Sequence, residues 1–185
     1  EASIRVGDST FEVNGGSFFQ SNRFLLEQLG NWAKPLVGGD FCVDLFGGIG
    51  FFSIMLSGSF KRGLLIESVE AQVQMARKNY ASNGISSFTA LHCPAEQVQS
   101  VISVKPDLLI IDPPRPGLTK KAREGVKMIG AEKILYVSCN PSTQARDIGF
   151  LIKQCGYTVE KMALFDLYPN THHLETVILL GRDKS

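Results

Sequence analysis

Apolar and polar positions along the chain change period repeatedly, and each change marks an element. The opening SIRVGDSTFEVNGGSFFQSN alternates apolar and polar residues around Gly7-Asp8 and Gly15-Gly16, the pattern of a short hairpin running into a loop. NRFLLEQLGNWA then sets Phe24, Leu25, Leu29 and Trp32 near helical spacing. From residue 40 onward, apolar runs of strand length alternate with amphipathic stretches. DFCVDLF passes straight into the glycine turn and helix GGIGFFSIMLS, and RGLLIES into the helix VEAQVQMARKNYASNG, which Asn83-Gly84 closes. SFTALHC is a strand, AEQVQSVI a short helix, and PDLLIIDPP a strand ended by prolines. TKKAREGVKMIG is a helix and KILYVSCNP a strand. STQARDIGFLIKQCG follows as a helix with Ser142 or Thr143 as its N-cap, and YTVEKMALFDL and TVILLGR are closing strands.

Strands that alternate with helices imply a parallel sheet covered on both faces, and the unbroken apolar runs DLLII and KILYV suit strands buried on both sides. The last two strands have no helix between them and pair most simply as antiparallel neighbours. No internal repeat or low-complexity linker interrupts the pattern. At 185 residues the chain makes one domain able to bury roughly 70% of its unfolded surface. Hydrophobic residues at 44% and charged residues at 20% fit a soluble globular protein, and no apolar run is long enough to cross a bilayer. Cys42, Cys93, Cys139 and Cys155 include no C-x-x-C pair, so no zinc or iron–sulfur site is signalled and a reduced, cytoplasmic protein is expected. The net charge of +1 argues against a domain that grips nucleic acid by charge alone.

In open α/β sheets ligands sit outside the carboxyl ends of the strands, so residues there carry the functional information. DLFGGIG, Asp44 to Gly50, is a turn whose missing side chains admit a ligand to the backbone, without the spacing of a dinucleotide fingerprint. Glu67 follows 23 residues after Asp44 at the next strand end, where a carboxylate accepts hydrogen bonds from both hydroxyls of a ribose. A solvated carboxylate at a helix start is the plainer alternative. With no phosphate-binding motif, the pair favours a nucleoside without phosphates and points to S-adenosylmethionine. In IDPPRPGL the prolines end a strand and hold the backbone rigid, with Asp112 aimed at the cleft. Cys139 ends a strand just before a helix N-terminus, where the macrodipole can lower a thiol pKa; read alone it is more often a core residue, the reading that Cys42, Cys93 and Cys155 keep.

FFQSN (Phe18 to Asn22), DLFGGIG, DPPRPGL, YVSCNPSTQARD and DLYPNTHHLETVILL, in this order, resemble the motifs of the RNA (uracil-5-)-methyltransferase family, which makes 5-methyluridine in tRNA and rRNA. The resemblance covers nearly the whole chain. It implies a Rossmann-like class I methyltransferase fold, an α/β architecture with a mostly parallel seven-stranded sheet, an antiparallel C-terminal pair and helices on both faces. Residues 1–185 would form the methyltransferase domain, with a lead-in hairpin and helix over 1–30 and the Rossmann-like core over 40–185, and without the family's N-terminal RNA-binding domain. By the same resemblance Cys139 is the nucleophile that attacks carbon 6 of uracil and Glu175 the base that removes the carbon 5 proton. Gln20, Phe46, Gly48, Glu67 and Asp112 match cofactor-binding positions. His172 and His173 lie close to the substrate or are simply solvated, and make a poor metal site. The expected partner is an RNA substrate, tRNA or rRNA, acted on by a monomer with no metal and no membrane attachment.

Three positions depart from the family pattern: Gly47 stands where a cysteine is frequent, Phe51 where a small polar residue is frequent, and Gln144 where leucine is common. Two other readings of the chain stay open. DPPR is distantly similar to the motif of N-methyltransferases that act on exocyclic base amines, although Arg115 replaces the stacking aromatic residue. A non-catalytic RNA-binding module retaining the fold is the other.

Overall fold

The computed structural model describes residues 2–15, 23–166 and 174–182. Strands β1 (Ala2–Val6) and β2 (Ser9–Val13) form an antiparallel hairpin, turned at Gly7 with φ 57°. Helix α1 (Arg23–Ala33) leads to the main sheet, whose strands are β3 (Gly39–Leu45), β4 (Phe60–Glu67), β5 (Phe88–His92), β6 (Leu108–Ile111), β7 (Lys133–Ser138), β8 (Tyr157–Phe165) and β9 (Glu175–Arg182). Between them run α2 (Phe51–Leu56), α3 (Glu70–Ser82), α4 (Lys120–Ile129) and α5 (Pro141–Cys155).

The spatial order is β5-β4-β3-β6-β7-β9-β8. The first five strands in that order are parallel, and β9 runs antiparallel to both β7 and β8. The alternation of side chains along each strand sorts the core onto two faces. Cys42, Leu108, Ile110, Leu135 and Val137 face a cluster completed by the hairpin, α1, α2 and α3. Val43, Leu45, Leu109, Ile111, Ile134 and Tyr136 face one completed by α4 and α5. The strand order reverses between β3 and β6, which places the topological switch point beside the Asp44 to Gly50 turn.

The short helix expected at AEQVQSVI is present as a 3₁₀ helix over Ala95–Ser100, entered through Pro94. One local expectation is corrected. The N-cap of α5 is Asn140, not Ser142 or Thr143: its side chain accepts the N–H groups of both those residues, and Pro141 occupies the first helical position, where a missing N–H costs nothing.

Close packing across the sheet makes a specific demand at Gly63 on β4, where a Cβ would lie 2.0 Å from Cε1 of Phe88. Gly63→Ala is therefore expected to cost about 1–3 kcal/mol by overpacking, read as a lower midpoint in urea denaturation at unchanged slope.

Candidate active site

The glycine turn is built by strain in one residue and freedom in its neighbours. Phe46 has φ 63°, the one non-glycine residue with positive φ among those described; its N–H and that of Gly47 both donate to Ile66 O, at 3.0 and 3.2 Å. Such a conformation costs of order 1–3 kcal/mol and persists only where its surroundings enforce it. Gly48 and Gly50 take φ 54° and 92°, and Gly50 starts α2. The departures at 47 and 51 have packing causes: a Cβ at Gly47 would lie 2.4 Å from Leu65 Cγ, and the Phe51 ring packs on Phe11 of the hairpin and Phe52.

Glu67, at the end of β4, is buried rather than solvated. Its carboxylate accepts the N–H of Gly48 at 3.2 Å and of Val69 at 2.9 Å, and the Ser68 hydroxyl at 3.2 Å, tying the turn to the start of α3. Two further carboxylates end β3 and follow β6. Asp44 accepts the Ser53 N–H at 3.0 Å and its hydroxyl through Oδ2, while its buried Oδ1 has no partner. Burial pushes Asp44 up to about 6 against the pull of Ser53, and pushes Asp112 up to about 7 with help from the nearby charge of Asp44.

Cys139 and Glu175 come together through strand register. β7 and β9 pair antiparallel up to Ser138 opposite Thr176, so the next rung outward brings Cys139 to Glu175. Gln144 secures this end of the ladder, donating to Tyr136 O at 3.1 Å and Thr176 O at 3.2 Å. The Thr176 hydroxyl donates to Gln144 Oε1 and approaches Ser138 O at 3.0 Å. Cys139 is half-buried and Glu175 is buried. The expectation that the helix N-terminus lowers the Cys139 pKa is corrected. Burial and then the Glu175 charge push the thiol up, a hydrogen bond and the charge of Arg115 only partly offsetting them. The leading N–H groups of α5, those of Ser142 and Thr143, are taken by the Asn140 side chain. All four thiols are raised, so acidity does not single out Cys139; position does.

The DPPRPGL loop is clamped onto α5. Asn140 and Thr143 donate to Arg115 O at 3.2 and 3.0 Å, and Arg146 to Pro116 O at 2.9 Å. Beneath them the fully buried Asp147 accepts the Leu118 N–H and the Tyr136 hydroxyl at 2.8 Å each, and pairs with Arg123 and Arg146 at 2.9 Å.

These residues enclose one cavity of about 580 Å³ lined by Phe46, Gly48, Glu67, Asp112, Cys139 and Glu175, together with Arg115 and apolar side chains that include Leu26 and Leu29 of α1. Gln20, His172 and His173 lie outside the described residues. Asp44, Arg115, Gln144 and Asp147 all lie in the motifs DLFGGIG, DPPRPGL and YVSCNPSTQARD, but no site role is predicted for them from sequence. Among the described residues no cluster of His, Cys, Asp or Glu could hold a metal, and no helix is long and apolar enough to cross a membrane.

A seven-stranded sheet with one reversed strand and a nucleoside-sized cavity at its switch point is the class I methyltransferase fold. A family model described as tRNA (Uracil-5-)-methyltransferase matches residues 2–183, and the chain belongs to that family. It is 36% identical to uncharacterized RNA methyltransferases of Nanoarchaeum equitans and Clostridium acetobutylicum, over 98% and 96% of this chain. In each case it spans 40% of the relative's length. The structure is similar to Pyrococcus abyssi tRNA (uracil-54, C5)-methyltransferase in complex with S-adenosyl-L-homocysteine, with TM-score 0.86 and 30% identity over 97% of this chain and 44% of that one. An rRNA methylase of Streptococcus thermophilus, 12% identical with TM-score 0.67 over 85% of this chain and 95% of that one, shares the fold.

Two outcomes are expected. Asp147→Ala leaves the buried Leu118 N–H and Tyr136 hydroxyl without their acceptor and should lower stability by about 1–3 kcal/mol in urea denaturation. The raised carboxylates set a pH dependence. Between about pH 4 and 7 the unfolded chain gives up the Asp44 and Asp112 protons before the folded one does, so their effect is to lower stability as pH rises through that window, and no further above it. Asp112→Asn removes its share, and should stabilise the ligand-free protein more at pH 7.5 than at pH 4.5.

Proposed function

We propose that this chain transfers a methyl group from S-adenosylmethionine to carbon 5 of a uridine in RNA, with Cys139 as nucleophile and Glu175 as base. The observation that carries the reading is the meeting of Cys139 and Glu175 on the wall of a cavity that also holds Glu67 and Asp112. Those residues suit the cofactor. Glu67 has carboxylate lone pairs left for ribose hydroxyls, Gly48 lets a ligand approach its backbone, and Phe46 offers an apolar face. Asp112, on the cavity wall and raised by burial and then by the charge of Asp44, matches the ammonium and sulfonium end. Gln20 belongs to the same proposed set by its match to the family motif. When bound, S-adenosylmethionine supplies a methyl group on a positively charged sulfur, an electrophile for a carbon nucleophile.

Cys139 gives up its thiol proton to solvent, and the Sγ thiolate bonds to carbon 6 of the uracil ring and pushes electron density onto carbon 5. Carbon 5 takes the methyl group, and the carboxylate of Glu175 then accepts the carbon 5 proton. The electrons left behind re-form the ring double bond and expel Cys139 as thiolate. Arg115, hydrogen-bonded to the cysteine, favours the anionic form at both ends of the cycle. Methylation of an exocyclic amine or simple RNA binding would leave Cys139 and Glu175 without a task.

The test uses RNA containing 5-fluorouridine, whose fluorine cannot be removed as a proton. With cofactor present, the protein should form a denaturation-resistant adduct whose cross-linked peptide contains Cys139, and Cys139→Ala should form none. Glu175→Gln should accumulate a methylated covalent complex with ordinary uridine RNA. Methyl transfer that survives Cys139→Ala rejects the carbon 5 mechanism, and absence of both adduct and methyl transfer in the wild type rejects the catalytic reading.

A further inference from the structure

Asn79 on α3 is fully buried, where an amide must find partners or cost stability. Its Oδ1 accepts the Glu12 N–H at 2.7 Å, and its Nδ2 donates to Glu12 O at 3.3 Å and to Ile49 O at 3.0 Å. One turn later Asn83 repeats the first two bonds on Thr10, accepting from its N–H at 2.9 Å and donating to its carbonyl at 2.7 Å. The two side chains thus dress the outer edge of β2 as an added strand would. The third bond separates them. The remaining donor of Asn83 stays in its own helix on Asn79 O at 2.7 Å, whereas that of Asn79 reaches the glycine turn.

Ile49 is buried and lines the cavity between Gly48, which donates to Glu67, and Gly50. Both flanking glycines have positive φ, and a glycine backbone resists rotation weakly, so hydrogen bonds must hold the turn in one shape. Gly50 also rests on α3, where a Cβ would come within 3.1 Å of Tyr80 Cε1. Because Glu12 uses both its N–H and its carbonyl on Asn79, the hairpin determines which way the amide points.

We infer that Asn79 is a positioning residue that fixes the ligand-binding turn through Ile49 O, and that hairpin β1–β2 orients it, so that docking of the hairpin and ordering of the turn are coupled. The inference rests on the reading that S-adenosylmethionine binds at this turn. Isothermal titration of S-adenosylhomocysteine into wild type, Asn79→Ala and Asn83→Ala, below all three unfolding midpoints, tests it. Each variant loses two hairpin bonds of the same kind, to Glu12 in Asn79→Ala and to Thr10 in Asn83→Ala, but only Asn79→Ala frees the turn. Affinity should fall about tenfold or more in Asn79→Ala and stay within about twofold in Asn83→Ala. Equal weakening in both, or none in Asn79→Ala, overturns the inference. A wild type that fails to bind overturns the cofactor reading instead. Coupling is reciprocal, so the wild type gives a second readout that needs no variant to fold. Saturating S-adenosylhomocysteine should slow hydrogen exchange of the Glu12 amide by at least about threefold more than that of Thr10. Equal slowing rejects the link.

Discussion

The reversed direction of β9 is the constraint on which the site depends. β9 is 8 residues long and enters the sheet between β7 and β8. Running against β7, it begins where β7 ends, and Glu175 meets Cys139. Were β9 parallel, its first residue would lie at the opposite edge of the sheet, about 25 Å away at 3.4 Å per residue. β8 makes the reversal possible by carrying the chain from the end of α5 back to the ligand edge, at the cost of leaving an exposed outer strand. Gln144 and Thr176 then lock the rung beneath the pair, so the geometry rests on a satisfied buried network.

Around that pair the protein treats polar groups in two ways. Asp147, Asn79, Gln144 and Glu67 are buried with hydrogen-bond partners, and each joins elements separated in sequence: the proline loop to α5, the hairpin to the glycine turn, β7 to β9, the glycine turn to β4. These are groups whose burial is compensated, and they stiffen the frame. Asp44 and Asp112 are different: burial raises them both, and one oxygen of Asp44 has no partner. Asp44 lies on β3 and Asp112 just past the end of the neighbouring β6, at the switch point.

The thiol illustrates a balance that no single neighbour decides. Helix α5 begins just beyond Cys139, yet Asn140 absorbs its leading N–H groups, and the cysteine feels mainly burial, Glu175 and Arg115. Two of those act to keep the proton and one to release it.

Much of this was legible in the sequence. Apolar runs of strand length separated by amphipathic stretches determined the order of elements, because period and turn residues are local properties, and the motifs placed Phe46, Gly48, Glu67, Asp112 and Cys139 at strand ends. Errors fell where competing local signals were equal: Asn140, Ser142 and Thr143 are all good caps, and only Pro141 at the first helical position shows which one serves. What the sequence could not decide is which distant residues meet. Nothing local connects Glu175 to Cys139 beyond a family likeness, Glu12 to Ile49 through Asn79, or Asp147 to Leu118. Strand register and helix packing set those contacts, and they follow from how two apolar faces of one sheet are covered, a property of the whole chain and of no segment alone.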